Sequence, residues 1–332
     1  MSHCRDASGS PAPGVSLVNL RAGQDGGFFF LQPTVDALTY AAQRGIDVVN
    51  MSFFTDPWLY NCRANPADSP AEQQQQATII DATQRAVDYA RAHGVTLIAA
   101  LGNEHTDLGN PTVDDTSPDY PPGTEHPRTV DNSCLDVPTE SEGVVAVSAL
   151  GPSARKAYYS NWGTEQTDVS APGGDSRDFF GTDRFNSPQN RVLSTYPLAA
   201  LQAEGTVDQD GNVISPLAVK DCNGTTCGYY RYLQGTSMAA PHAAGVAALI
   251  VAQHGQADTR KHGLTLAPDR VQQILEQTAV AHGCPVQNPF AYTDPLSTAE
   301  GIPPARCEGS EDFNGFYGHG IVNALNAVSD PV

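Results

Sequence analysis

Hydrophobic spacing along the chain switches repeatedly between strand-like runs and helical periodicity. GVSLVNLRA (14–22) is an apolar, β-branched run that reads as a buried strand. PTVDALTYAAQRG (33–45) changes to helical spacing, with Pro33 in the first turn and Gly45 placed to close it. IDVVNMS (46–52) returns to a β-branched strand. A longer helix is expected from about Ser69 to His93, with Ser69 as N-cap, Pro70 at the first helical position and Gly94 beyond its end. VTLIAAL (95–101) and GVVAVSAL (143–150) are further short buried strands, separated by a polar, Pro-rich stretch at 104–142. A loop-rich region follows to about residue 231. Helices are expected after Ser237, at about 267–279 and, as a closing element, at 317–328. Continuous apolar strands alternating with helices predict α/β architecture, with a parallel sheet covered on both faces.

Composition narrows the class. At 332 residues and 40 % hydrophobic content, the chain suits one large domain with a sizeable core. Its 37 acidic against 18 basic residues give a formal charge of −19, which opposes nucleic acid and anionic membrane and favours solubility outside the cell. No run approaches the roughly 18 apolar residues of a membrane span, and MSHCRDASGSPAPG at the start has no apolar signal-peptide core. The seven cysteines include no CxxC pair, so disulfides in an oxidising compartment are expected rather than zinc. Cys222 and Cys227 are close enough in sequence to suggest a pair. Cys284–Cys307 and Cys62–Cys134 are the pairing expected for the others, although spacing does not fix it, and Cys4 is left over.

The chemistry concentrates in YLQGTSMAAPHAAGVAALI (232–250). Gly235 allows a sharp turn, Ser237 follows at the start of an apolar helix, and small residues let that helix pack closely. A helix N-terminus aims N–H groups at any oxyanion formed beside the serine. A lone Gly-Thr-Ser is more often an N-cap. The G-x-S-x-G elbow of α/β-hydrolases fits poorly, because Ala239 replaces the last glycine and 229–234 is not a clean apolar strand.

GTSMAAPHAAGVAAL resembles the serine motif of subtilisin-like serine peptidases, G-T-S-M-A-x-P-H-V-A-G, with alanine for valine at 243. GVTLIAALGNEHTD is similar to that family's oxyanion-asparagine segment. ALTYAAQRGIDVVNMSFF, EGVVAVSAL, YYSNWG and TDVSAPGGD resemble other family stretches, so the likeness covers most of 12–330. It implies a parallel, doubly wound sheet of subtilisin type and a secreted, monomeric endopeptidase acting on polypeptides through an acyl-enzyme. Ser237 would be the nucleophile and Asn103 the oxyanion donor. Ser52, Phe53, Phe54, Leu101 and Gly102 would flank the substrate, with Phe54 where the family usually has glycine. Calcium is common in the family, but no ligands can be placed, and no metal-binding residues are assigned.

The family's chain order is Asp, His, Ser, yet its D-T-G and H-G-T-H motifs are absent here. His242 lies within the serine motif, too far along the helix to fold back. His105 follows Asn103 in a loop without an orienting acid. His93, His254 and His262 fall on helices or their ends, and His126, His282 and His319 in loops or a turn. His3 lacks the motif's glycines. The expectation is therefore residues 1–13 as an irregular remnant and 14–332 as an incomplete peptidase domain, missing its first strands. A slot should then open between strands at 15–21 and 46–51. The alternative is a catalytically inactive fragment or pseudoenzyme that retains a peptide-binding cleft.

Overall fold

The computed structural model describes residues 14–259 and 263–329. Its centre is a four-stranded parallel sheet in the order β1 (Val48–Met51), β2 (Thr96–Ala100), β5 (Val144–Leu150), β6 (Val169–Pro172). Val48 aligns with Thr96, Leu97 with Val144 and Val147 with Val169. Every residue of β2 and β5 is buried, as expected of strands covered on both faces.

The pleat of β2 divides the core. Leu97 and Ala99 face α1 (Leu31–Arg44) and α2 (Pro70–Ala92), packing with Leu38, Ala42, Val87 and Ala90. Ile98 and Ala100 face the other layer, formed by α4 (Thr236–His254), α5 (Pro268–Gln277) and α7 (Ala324–Ser329). Ala239, Ala240, Ala243 and Ala247 are fully buried on α4, and their small side chains bring its backbone close to the sheet. Ile98 and Ile250, also fully buried, stabilise by roughly 1.5–3 kcal/mol each relative to exposure.

Local signals set the helix ends. Ser69 and Glu72 form a capping box: Ser69 Oγ accepts from Glu72 N–H at 3.4 Å and Ser69 N–H donates to Glu72 Oε2 at 2.7 Å. Asp294 caps the short α6 (Pro295–Glu300), accepting from the N–H groups of Leu296 and Ser297. Gly45 closes α1 in the left-handed conformation, at φ 66°.

Several expectations are corrected. Residues 14–22 form no strand; Val15, Leu17 and Val18 are exposed and only Ala22 is buried. An apolar run becomes a strand only where a neighbour accepts its hydrogen bonds, and no described strand lies beside it. The expected slot therefore has only one wall: β1 is an edge strand, and no described residue pairs with its outer side. The closing helix spans only Ala324–Ser329, because Gly318 and Gly320 adopt φ of 58° and 130° and Ile321 bridges Val280. The region expected to be loop contains an antiparallel sheet, β7 (Val192–Thr195), β9 (Thr226–Leu233) and β8 (Ala218–Asn223) in that order, with α3 (Leu198–Ala203) beside it. The expected remnant at 1–13, with Cys4, lies outside the described residues.

The three expected disulfides, Cys62–Cys134, Cys222–Cys227 and Cys284–Cys307, are formed. Beside the first, Arg128 in β4 (Arg128–Thr129) is fully buried. Its guanidinium donates to Asp68 Oδ2 at 2.7 Å, to Gln76 Oε1 at 2.9 Å, to Asp114 Oδ2 at 2.8 Å and to the Tyr60 carbonyl, and lies over the Trp58 ring. One side chain thus ties α2, the 58–62 segment and β3 (Val113–Asp114) together. Arg128→Met leaves two buried carboxylates without their cation. It should cost about 3–5 kcal/mol of unfolding free energy, measured by urea denaturation at pH 7. A cost under about 1 kcal/mol would mean that both carboxylates find other partners.

Candidate active site

Strand β9 leads directly into the turn that carries Ser237. Gly235 takes φ 153° and ψ 161°, a region essentially restricted to glycine, and its N–H donates to the Gly173 carbonyl at 3.0 Å. Thr236 and Ser237 are then the first residues of α4. In a first turn the N–H groups have no helical partner. Among the described residues neither the N–H nor the Oγ of half-buried Ser237 has a hydrogen-bond partner.

Asn103 reaches the same turn from the end of β2. Its Oδ1 accepts from Thr236 N–H at 2.9 Å and from Thr236 Oγ1 at 3.1 Å. That fixes the amide orientation and leaves Nδ2, the donor arm, without a partner among the described residues. Thr236 Oγ1 in turn accepts from Gly102 N–H at 3.1 Å. Gly102 has φ 100°, and a Cβ there would lie 2.3 Å from Asn161 Nδ2 and 2.6 Å from Glu104 Oε2, so the chain has no room for a side chain at this position. Asn161 is fully buried and braces the turn. It donates to the Leu101 carbonyl at 3.1 Å and to Glu104 Oε2 at 2.6 Å, and its Oδ1 accepts from the N–H groups of Glu104 and Thr106.

The opposite wall comes from the end of β1. Ser52 Oγ donates to the Ser237 carbonyl at 3.2 Å and accepts from Asn50 Nδ2 at 3.0 Å. Phe53 is half-buried and stacks on Phe29, with centroids 4.2 Å apart and planes at 4°. Phe54, also half-buried, packs on the cluster that contains Leu59, Tyr60 and Leu101. The Leu101 side chain is fully buried in that cluster, so only its backbone borders the cleft. The structure thus gathers Ser52, Gly102, Asn103 and Ser237 around the first turn of α4, and sets Phe53, Phe54 and Leu101 just behind. Thr236 and Asn161 are not among the site residues expected from sequence, although both sit inside the motifs GTSMAAPH and YYSNWG.

No histidine among the described residues is hydrogen-bonded to Ser237. His242 Nδ1 contacts the Met238 carbonyl one turn back at 2.8 Å. His105 is buried, with Nδ1 against the Tyr158 carbonyl and Nε2 against that of Pro303 at 2.9 Å. Burial, then the charge of Lys156, lowers its pKa to about 4 against the pull of those carbonyls. A ring so placed is a packing element. His126 lies near Asp68, His254 Nε2 contacts the Ala327 carbonyl and His319 lies near Glu276. Nor do three or more His, Cys, Asp or Glu side chains converge as metal ligands among the described residues.

A serine in the first turn of a helix, with two uncommitted N–H donors beside it on a parallel α/β scaffold, has the make-up of a serine hydrolase site. The chain belongs to the subtilase family, whose family model matches residues 3–320. Subtilisin DY of Bacillus licheniformis is 26 % identical over 272 residues, covering 82 % of this chain and 64 % of that protein. The calcium-dependent protease of Trichormus variabilis is 25 % identical over 96 % of this chain and 36 % of its own length. Among solved structures, a lanthipeptide protease superposes with a TM-score of 0.60 at 23 % identity, covering 97 % of this chain and 73 % of that one. The epidermin leader peptide processing serine protease of Staphylococcus aureus gives 0.56 at 21 %, over 96 % and 59 %. The fold is therefore subtilisin-like. The chain spans 64 % of subtilisin DY and 41 % of the thermophilic serine proteinase of Bacillus sp. strain AK1.

Thr236→Val keeps the shape but strands Gly102 N–H and removes one donor to Asn103. The expected cost is about 1–3 kcal/mol by denaturant unfolding, largely recovered in Thr236→Ser. Equal losses in both variants would show that the hydroxyl is not the connecting group.

Proposed function

We propose that this chain carries the nucleophile half of a subtilisin-type serine endopeptidase site. Ser237 Oγ attacks the carbonyl carbon of a peptide bond as its proton passes to a base. The carbonyl oxygen becomes an oxyanion held by Ser237 N–H and Asn103 Nδ2, bonds that strengthen as charge develops. Collapse expels the amine, which takes up the proton, and leaves an acyl-enzyme on Ser237 that water hydrolyses. The observation that carries this reading is the pair of uncommitted donors beside an uncommitted serine hydroxyl.

The base comes from outside the described residues, since none of their histidines reaches Ser237. The outer edge of β1 supports this: its far end, Ser52, touches Ser237, so a strand added in parallel there would end beside the nucleophile. A second reading, a peptide-binding chain without turnover, is favoured by the same observation, that no histidine among the described residues is hydrogen-bonded to Ser237. The three disulfides fit a secreted protein, and the extracellular basic protease of Dichelobacter nodosus is a relative at 27 % identity. No described helix is long and apolar enough to cross a membrane. Calcium-dependent proteases are also relatives, but the described residues offer no fitting ligand group, and no step of the reaction is assigned to the ion.

A fluorophosphonate probe separates the two readings. Labelling that disappears in Ser237→Ala supports an assembled site, and Asn103→Ala should slow it by about 10²–10³-fold, the magnitude known for the oxyanion asparagine of subtilisin, itself a member of this family. An unlabelled chain that still binds peptides is the second reading. Phe54→Gly should shift cleavage towards bulky residues on the acyl side of the scissile bond by about tenfold, roughly 1.4 kcal/mol in specificity. An unchanged preference between Phe and Ala substrates would place Phe54 outside the pocket.

A further inference from the structure

Away from Ser237, a groove of about 690 Å³ lies between the N-terminal ends of α1 and α2. Phe30, Leu31, Pro57, Ile79 and Tyr120 give it apolar walls, and among the described residues Asp56 is the one charged side chain in its lining. Asp56 is only 5 % exposed. Its Oδ2 accepts from Phe29 N–H, and its own N–H donates to the Phe29 carbonyl at 2.9 Å. Against it lies Asp119, whose N–H donates to the Pro57 carbonyl at 3.0 Å. The Asp56 carboxyl faces that of Asp119, and Asp119 Oδ1 is buried with no donor to it among the described residues. Two carboxylates so placed ionise together only at a cost, which a shared proton removes. The next residue, Tyr120, sets its ring edge-on to Phe28 at 5.2 Å and to Phe30 at 5.1 Å, while remaining 45 % exposed.

We propose that the Asp56–Asp119 pair is a proton-operated latch: the shared proton holds the loop bearing Tyr120 against Phe28 and Phe30, and its loss opens the groove. The side chains facing the groove from α1 and α2, namely Gln32, Gln74, Gln75 and Thr78, carry no charge that could replace that proton. Glu125, on the same loop as Asp119, adds repulsion once the pair ionises. Burial first, then the hydrogen bond and charge of Asp56, push the Asp119 pKa up to about 8. That lies above its unfolded value of about 3.9. The closed arrangement is therefore fully stabilised at low pH, and this stabilisation is lost as pH rises through about 8. The groove would be closed in neutral surroundings and open in alkaline ones.

Hydrogen exchange on the whole chain tests the latch without any turnover, so the result is independent of the role of Ser237. Protection factors, corrected for intrinsic base catalysis, are followed from about pH 6.5 to 9.5, a window bracketing the Asp119 titration. The amide of Asp119 should lose protection by about tenfold or more around pH 8, while amides of β2 hold theirs. Asp119→Asn keeps a permanent donor towards Asp56 and should abolish the transition. Asp56→Asn removes the like charge and should move it to lower pH. A flat wild-type profile at Asp119 overturns the proposal even if neither variant folds, as does an unchanged midpoint in Asp119→Asn.

Discussion

The candidate site depends on one hydroxyl, that of Thr236. It accepts from Gly102 N–H and donates to Asn103 Oδ1, joining the loop that leaves β2 to the helix that carries Ser237. Together with Thr236 N–H, which also donates to Asn103 Oδ1, it fixes the amide so that Nδ2 is the arm left uncommitted. The loop has its own brace: Asn161 binds the Leu101 carbonyl and Glu104 Oε2 in the space a side chain at 102 would occupy. The donors are thereby aimed before any substrate arrives, the condition under which electrostatic stabilisation costs least reorganisation. Its position follows from topology, since ligands of open α/β sheets bind beyond the carboxyl ends of the strands. Residues 52 and 101–103 leave those ends.

What the sequence disclosed follows from how local each signal is. The buried strands at 96–100 and 144–150 and the helix capped by Ser69 and Glu72 are written in adjacent residues. So is the helix at 236–254, because the glycine, the serine and the alanine stripe all lie within it or at its edge. GVSLVNLRA misleads for a physical reason: apolar patterning marks what a segment would bury, but a strand needs a neighbour to exist. The closing helix is shorter than its alanines and valine suggest, because two glycines hold left-handed angles. The antiparallel sheet at 192–233 leaves little trace in the sequence because its strands are half-exposed, with neither a clean alternation nor a continuous apolar run.

The site is legible only in part, for the same reason. Ser237 and Asn103 stand out as motif positions, whereas Thr236 gains its role from a partner 133 residues away. Phe54 draws notice as a replacement for glycine, but its packing against Leu59 and Leu101 emerges only in three dimensions. The Asp56–Asp119 pair is invisible in the sequence, since nothing at either position indicates that the two acids will come face to face.

The catalytic and the structural questions meet at β1. A serine hydroxyl without a base is barely nucleophilic at neutral pH, however well its oxyanion donors are set, and such donors alone retain only a small share of the rate. The same part of the molecule has an edge strand whose outer hydrogen-bonding groups meet no described residue, and the chain also leaves Val15, Leu17 and Val18 exposed. Unpaired edges and exposed apolar runs are features that folded proteins ordinarily cover. Covering this edge would satisfy the backbone of β1. Because Ser52 ties the end of that strand to Ser237, it would also place new side chains where the proton acceptor must stand. The stability of the sheet and the reactivity of the serine are therefore one question, answered by whatever occupies the outer edge of β1.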